Sequence, residues 1–411
     1  MGKAGPLVPA ADGGVLAGNE INDFGFDLLR RLDSSGNLCA SPTSIALALA
    51  MVRPGARGAT AAEMDTVLHN FGSTGQANEI VALLGALQAL TFYDDSNFYS
   101  DDPEATPDHT AQDLAVELDV SNAVFSQKGM SLEQAYLDAL SSGFGAGVGL
   151  VDYKNDPEAA RLIINRWASD KTKGRIPEIL HQGDIDKLTR IALVNAIYLK
   201  AAWESPFDPE ATKTLPFTRS DGSKVSVPTM AKDQLLQYSA GTGYRAVDLP
   251  YSGGSLSMMI VVPDDMNSFV KGLTSAKLAT IDSRRKAYDV DLTLPRFSAD
   301  TRFNLNDVLA AMGMPSAFDW TVADLTGISQ DPDAQPLYIQ QVIHQANIDV
   351  VEEGTTASAV TVALGGKGSS GQPPPKVKFH VDKPFLYFIR DRWSTGAILF
   401  MGRIDDPSAK S

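Results

Sequence analysis

The sequence predicts an α+β fold, with helices in the first part of the chain and strands dominating after Arg190. Two observations carry this. Apolar residues recur at helical spacing up to residue 174, and short β-branched apolar runs replace them afterwards. A doubly wound α/β enzyme would alternate the two kinds of segment instead. No Pro/Gly/Ser-rich linker and no internal repeat interrupts the 411 residues, 44% of them hydrophobic.

The elements follow in order. Phe24, Phe26, Leu28, Leu29 and Leu32 share helical spacing, and Leu38-Cys39-Ala40 is a short apolar, strand-like run. Pro42 opens a second helix covering 44–51, and 59–68 and 80–90 have the same character. A strand over 118–125 precedes a helix over 131–140, and another helix over 162–174 stops at Gly174. Strands are predicted over 191–198, 244–249, 257–262 and 290–294, with one late helix over 307–312.

Composition excludes several functions. A formal charge of −15 opposes nucleic acid and anionic membranes. No run reaches the roughly 18–20 apolar residues that span a bilayer, and no apolar signal-peptide core follows Met1-Gly2-Lys3. That pattern suits a cytoplasmic protein. Gly2 lacks the Ser or Thr of a myristoylation site. The lone Cys39 excludes an internal disulfide and reads as a small buried side chain.

Enzyme signatures are missing. None of the five histidines (His69, His109, His181, His344, His380) lies in His-Glu-x-x-His, and Cys39 has no partner for a zinc pair, so no metal or cofactor is expected. Gly-x-Ser-x-Gly is absent. Residues 365–370, Gly-Gly-Lys-Gly-Ser-Ser, lack the order of a phosphate loop and run into three prolines rather than a helix.

The most informative segment is 352–363, Glu-Glu-Gly-Thr-Thr-Ala-Ser-Ala-Val-Thr-Val-Ala. Read with period two, Thr355, Ala357, Ala359 and Thr361 share one face, and Thr356, Ser358, Val360 and Val362 the other. The first face can be buried with no charge to desolvate, yet the run leads into loop composition. It has the pattern of a strand with no sheet assigned to it.

This segment resembles the reactive-centre loop of the serpins. Residues 379–391, Phe-His-Val-Asp-Lys-Pro-Phe-Leu-Tyr-Phe-Ile-Arg-Asp, resemble that family's C-terminal signature and continue into 395–404. Ser41-Pro42-Thr43-Ser44, Asn165-Arg166-Trp167, the run 193–203, Asp248-Leu249-Pro250-Tyr251 and Leu294-Pro295-Arg296-Phe297 match in the same order. The resemblance implies one serpin domain over 19–406, with the loop at about 354–376, a variable N-terminal segment 1–18 and a tail 407–411. It also implies a large central, mainly antiparallel sheet, two smaller sheets and an exposed loop.

The implied activity is suicide inhibition of a protease, serine-type by default and cysteine-type as the variant, with no catalysis by this chain. A non-inhibitory chaperone, carrier or storage role is the alternative; such members carry charged or bulky residues where Thr355, Ala357 and Ala359 stand. The implied hinge is Glu352, Glu353, Gly354, Thr355, Thr356, Ala357, Ser358 and Ala359. Thr356 departs from the family's commoner acidic residue. The implied shutter is Ser41, Ser44, Asn195 and His344. The implied breach at the top of the sheet is Trp203, Arg296 and Glu352, the last two as a partly exposed ion pair. Counting fourteen residues on from Gly354 puts the reactive bond at Gly368–Ser369, and Lys367 is the alternative cleaved residue.

A basic polysaccharide-binding helix is not matched, because residues 91–117 contain eight acidic residues and no Lys or Arg; no heparin-like cofactor is expected. This stretch reads as a solvated excursion, with a docking site for a basic partner as the other reading. The family habit adds a monomeric state and the extracellular space as a second possible compartment.

Overall fold

In the computed structural model the described residues are 11–32, 36–73, 77–90, 116–355 and 374–409. Helices come first: α1 (Ala11–Leu29), α2 (Pro42–Val52), α3 (Gly58–Val67), α4 (Ala77–Ala89), α5 (Gln134–Phe144) and α6 (Pro157–Lys171). Three short ones follow, α7 (Met266–Lys271), α8 (Ser275–Ser283) and α9 (Asn306–Met312). The first helix therefore begins well before the apolar cluster at Phe24. The sixth starts five residues earlier than expected, because Asp156 caps it by accepting from Ala159 N and Pro157 occupies its first position.

The central sheet contains β2 (Glu117–Gln127), β3 (Val148–Val151), β4 (Ile191–Ala202), β10 (Phe297–Asn304), β11 (Gln341–Val350) and β12 (Gly354–Thr355). Its order is β10-β11-β12-β4-β2-β3. Antiparallel pairs dominate, with β11–β4 and β2–β3 parallel. The other strands are β1 (Leu38–Ala40), β5 (Lys213–Thr218), β6 (Lys224–Gly241), β7 (Tyr244–Pro250), β8 (Leu256–Pro263), β9 (Lys286–Pro295), β13 (Lys376–His380), β14 (Phe385–Asp391) and β15 (Ile398–Ile404). They were expected as two smaller sheets. The 18-residue β6 joins them, pairing with β9 over 229–238 and with β7 over 237–241, so the hydrogen bonds run as one nine-stranded sheet.

Both faces of the central sheet are buried. On one, Ala192, Val194, Ala196 and Ile343 pack against Ile164 and Ala168 of α6. On the other, Leu193, Ile197, Val342 and Ala346 join the main core with the wholly buried α2. Burial on both faces explains why β4 reads as an unbroken apolar run rather than an alternating one. Strand β11 escaped prediction because polar residues interrupt its buried positions, His344 above all.

Candidate functional site

At its top the central sheet is parted. Gly354 pairs with Ala202, and Thr355 pairs with Ala201 on one side and Val350 on the other. Below this wedge β4 and β11 pair directly, Ala192–Ala196 against Gln341–Gln345. Between wedge and ladder, residues 197–200 and 346–349 make no pairs with each other. The start of the exposed loop therefore moves beyond 354: Thr355 is 2% exposed, and its Oγ1 lies 2.6 Å from the Tyr251 hydroxyl. Burial raises the Tyr251 pKa, so the phenol stays protonated and can serve as donor.

Gly354 is required at this crossing. Its φ is 154°, and a Cβ there would stand 2.2 Å from the Ala201 carbonyl oxygen and 2.8 Å from Ala202 Cα. The preceding residues are held from β4 and the turn after it. Trp203 N donates to Glu353 O and Phe207 N to Glu352 O, both at 2.9 Å; Trp203 Nε1 donates to Val351 O at 3.0 Å. Trp203 itself is stacked on Tyr251, with ring centroids 4.6 Å apart and 8° between planes.

Glu352 forms the expected ion pair. Arg296 Nη2 lies 2.7 Å from its Oε1, and Thr212 Oγ1 donates to the same oxygen. Arg296 is 43% exposed and the Glu352 side chain only 3%, so the pair is partly exposed, with its burial on the carboxylate side. Burial alone would raise the Glu352 pKa. The bonds from Arg296 and Thr212 outweigh it and hold the carboxyl below its usual range.

A buried polar cluster sits at the head of the direct β4–β11 ladder, where Asn195 and His344 face each other in register. His344 Nε2 accepts from Ser41 N at 3.1 Å, so the proton is on Nδ1, which donates to Asn195 Oδ1 at 2.5 Å. Asn195 Nδ2 in turn donates to Ser44 Oγ at 2.5 Å and to Asn122 Oδ1. Ser41 also caps α2, its Oγ accepting from Ser44 N. Parting β4 from β11 at this level separates these partners, at about 1–3 kcal/mol for each group left unpaired.

Burial lowers the His344 pKa to about 3. The closed cluster therefore binds fewer protons than any state exposing the ring, whose pKa would be near 6.5. Closure is fully favoured above that value and weakens as pH falls towards about 3. Moving from pH 7 to 5 should speed loss of inhibitory activity through uncleaved loop insertion by up to about twenty-five-fold. His344→Gln should abolish most of this pH dependence. Residual activity after timed incubation measures it, and a rate that is flat with pH would remove His344 from the latch.

The opposite face is bridged by the turn that follows α6. Lys173 pairs with Glu117 of β2 and lies 5.2 Å over the Tyr198 ring of β4. Arg175 Nη1 is 3.1 Å from Asp349 of β11, and its carbonyl accepts from Asn347 Nδ2. These contacts span the unpaired gap between wedge and ladder, so a strand entering there must pass beneath the turn.

The structure thus brings Ser41, Ser44, Asn195 and His344 into one cluster, and Trp203, Arg296 and Glu352 into another beside Glu353, Gly354 and Thr355. Thr356, Ala357, Ser358 and Ala359, the bond Gly368–Ser369 and Lys367 lie outside the described residues. Sequence reasoning missed Asn122, Thr212, Tyr251, Lys173 and Arg175. Asn122 left a signal as an asparagine in mid-strand, where that residue is depleted, and Tyr251 as the last residue of the matched motif 248–251. Among the described residues no group of three or more His, Cys, Asp or Glu is arranged to hold a metal ion, and no helix is long and apolar enough to cross a membrane.

Comparison with known proteins is consistent along the chain. The family model described as Serpin (serine protease inhibitor) matches residues 19–407. The leukocyte elastase inhibitor of Xenopus tropicalis is 33% identical over 396 residues, covering 93% of this chain and 97% of that protein. The human leukocyte elastase inhibitor is 32% identical over 402 residues with the same coverage. Among solved structures, the thermophilic serpin tengpin in its native state matches with a TM-score of 0.81 at 25% identity, covering 98% of this chain and 97% of that one. Native protease nexin-1 with heparin matches at 0.78 and 26%, covering 96% and 100%.

Proposed function

The chain belongs to the serpin family, and from that premise we propose that it inhibits a serine protease as a suicide substrate and is not itself an enzyme. The carrying observation is the parted sheet: Gly354 and Thr355 occupy its top, directly above an unpaired gap and the β4–β11 ladder. The chain beyond them supplies small side chains, Ala357 and Ala359, at the positions that alternation turns towards the core.

The protease serine attacks the carbonyl of the cleaved residue, the following amine departs, and an ester joins inhibitor and enzyme. The freed segment then enters between β4 and β11, carrying the protease with it, as is known for serpins. About a dozen inserted residues, bonded on both sides at about 0.5–1.5 kcal/mol each, release on the order of ten kcal/mol. Before cleavage, the buried latch and the bridging turn supply the kinetic barrier.

Gly368–Ser369 is the expected reactive bond, which suits an elastase- or subtilisin-like enzyme with a small specificity pocket. Mixing the protein with a panel of serine and cysteine proteases should give an SDS-stable complex with such an enzyme and release a peptide beginning at Ser369. A peptide beginning at Gly368 would instead assign Lys367 as the cleaved residue and a trypsin-like target. Cleavage upstream of Val362, or no covalent complex with any protease, would overturn the proposal.

A further inference from the structure

Helix α8 and its C-cap residue place Lys277, Thr280 and Arg284 on one side, at spacings of three and four residues. These side chains line a cavity of about 350 Å³ with Thr242, Tyr244, Ala276 and Ile281. No carboxylate lines it, and neither cation has an acidic partner within ion-pair distance among the described residues. The Lys277 ammonium lies 4.3 Å over the Phe269 ring. In a chain carrying a formal charge of −15, two cations left together without an acid stand out.

Tyr244 makes the site specific. The residue is 5% exposed, and its hydroxyl is buried with no hydrogen-bond partner among the described residues. Such a group is costly unless something accepts its proton. The phenol end and the Arg284 guanidinium converge over Gly241: a Cβ there would lie 2.5 Å from Tyr244 Cε1 and 2.8 Å from both Tyr244 Cζ and Arg284 Nη1. Any side chain at 241 would push into this space. Thr280 Oγ1 is already committed to Ala276 O at 2.9 Å, and the charged donors of the lining are Lys277 and Arg284, beside the Tyr244 hydroxyl.

We propose that this cavity is a binding site for a tetrahedral dianion, a phosphate or sulfate group, held by Lys277 and Arg284 and accepting the Tyr244 hydroxyl. Two cations match two negative charges, and a guanidinium suits the paired oxygens of such a group. The site is separate from the parted sheet and independent of the loop.

Titration of the intact protein with inorganic phosphate, followed by ³¹P NMR and by thermal shift, tests it. Saturable binding with a Kd at or below about 1 mM is expected. Arg284→Gln should weaken it at least about tenfold. Tyr244→Phe should weaken it about three- to tenfold, although it removes only an unpaired hydroxyl and should leave the fold intact. Sulfate competing with phosphate supports a general dianion site, and phosphate binding alone supports a phosphate site. Absence of saturable binding of either at about 10 mM, equal binding of acetate, or affinity unchanged in both variants would overturn it.

Discussion

Replacing Thr355 with arginine should convert the inhibitor into an ordinary substrate. Thr355 fills a closed position under Tyr251, between Val350 and Ala201. An arginine is expelled from this position in the uncleaved protein, and to re-enter it on insertion the guanidinium must shed its hydration for no counter-charge, at an effective cost of several kcal/mol. Inhibition is a race between loop insertion and hydrolysis of the acyl-enzyme, and each ~1.4 kcal/mol added to insertion slows it about tenfold. The variant should be cleaved at the same bond, release active protease and form little covalent complex. Thr355→Ser keeps the hydroxyl and should inhibit normally. Wild-type amounts of complex from the arginine variant would refute insertion. An outward-facing control at position 356 is less neutral than the sequence suggests. Alternation turns that residue towards the face bridged by the Lys173–Glu117 and Arg175–Asp349 pairs, whose carboxylates a new cation would compete for.

Cutting the loop with a protease that is not a target should raise thermal stability. Nicking an ordinary domain in a loop only adds freedom to the unfolded chain. Here it frees the segment after Thr355 to complete the sheet. If insertion releases on the order of ten kcal/mol, the melting temperature should rise by roughly 10–20 °C for a chain of this size. Scanning calorimetry of intact and cleaved protein measures it. Coincident transitions would mean that the gap between β4 and β11 stays unfilled after cleavage.

Much of this was legible in the sequence. The apolar stretch around Asn195 is written in consecutive residues, so local pattern sufficed there; of the period-two run after Gly354, only Thr355 falls within the described residues. What escaped depends on contacts across the fold. Thr212 bonds Glu352 from 140 residues away, and nothing in the sequence around it sets it apart. Arg296 and Glu352 were legible as a partly exposed ion pair, but that the burial falls almost wholly on Glu352 was not. The bridging turn was hidden because Lys173 adopts φ 51° and Gly174 φ 81°, which re-aim Lys173 and Arg175 after the helix ends.

Strand polarity adds a driving force of its own. β4 and β11 run parallel where they touch, whereas β12 is antiparallel to both. A parallel ladder, with its slanted bonds, is slightly less stable per residue than an antiparallel one. Residues entering the gap below Thr355 gain partners on both sides with nothing to displace, and those reaching the β4–β11 ladder replace one contact of the weaker kind with two of the stronger. The native sheet opens along a seam where like-directed strands can be separated by an opposed one, and the opposed strand is the chain's own continuation. Direction thus adds a small favourable increment to each step through the ladder, on top of which the side chains set how fast insertion goes.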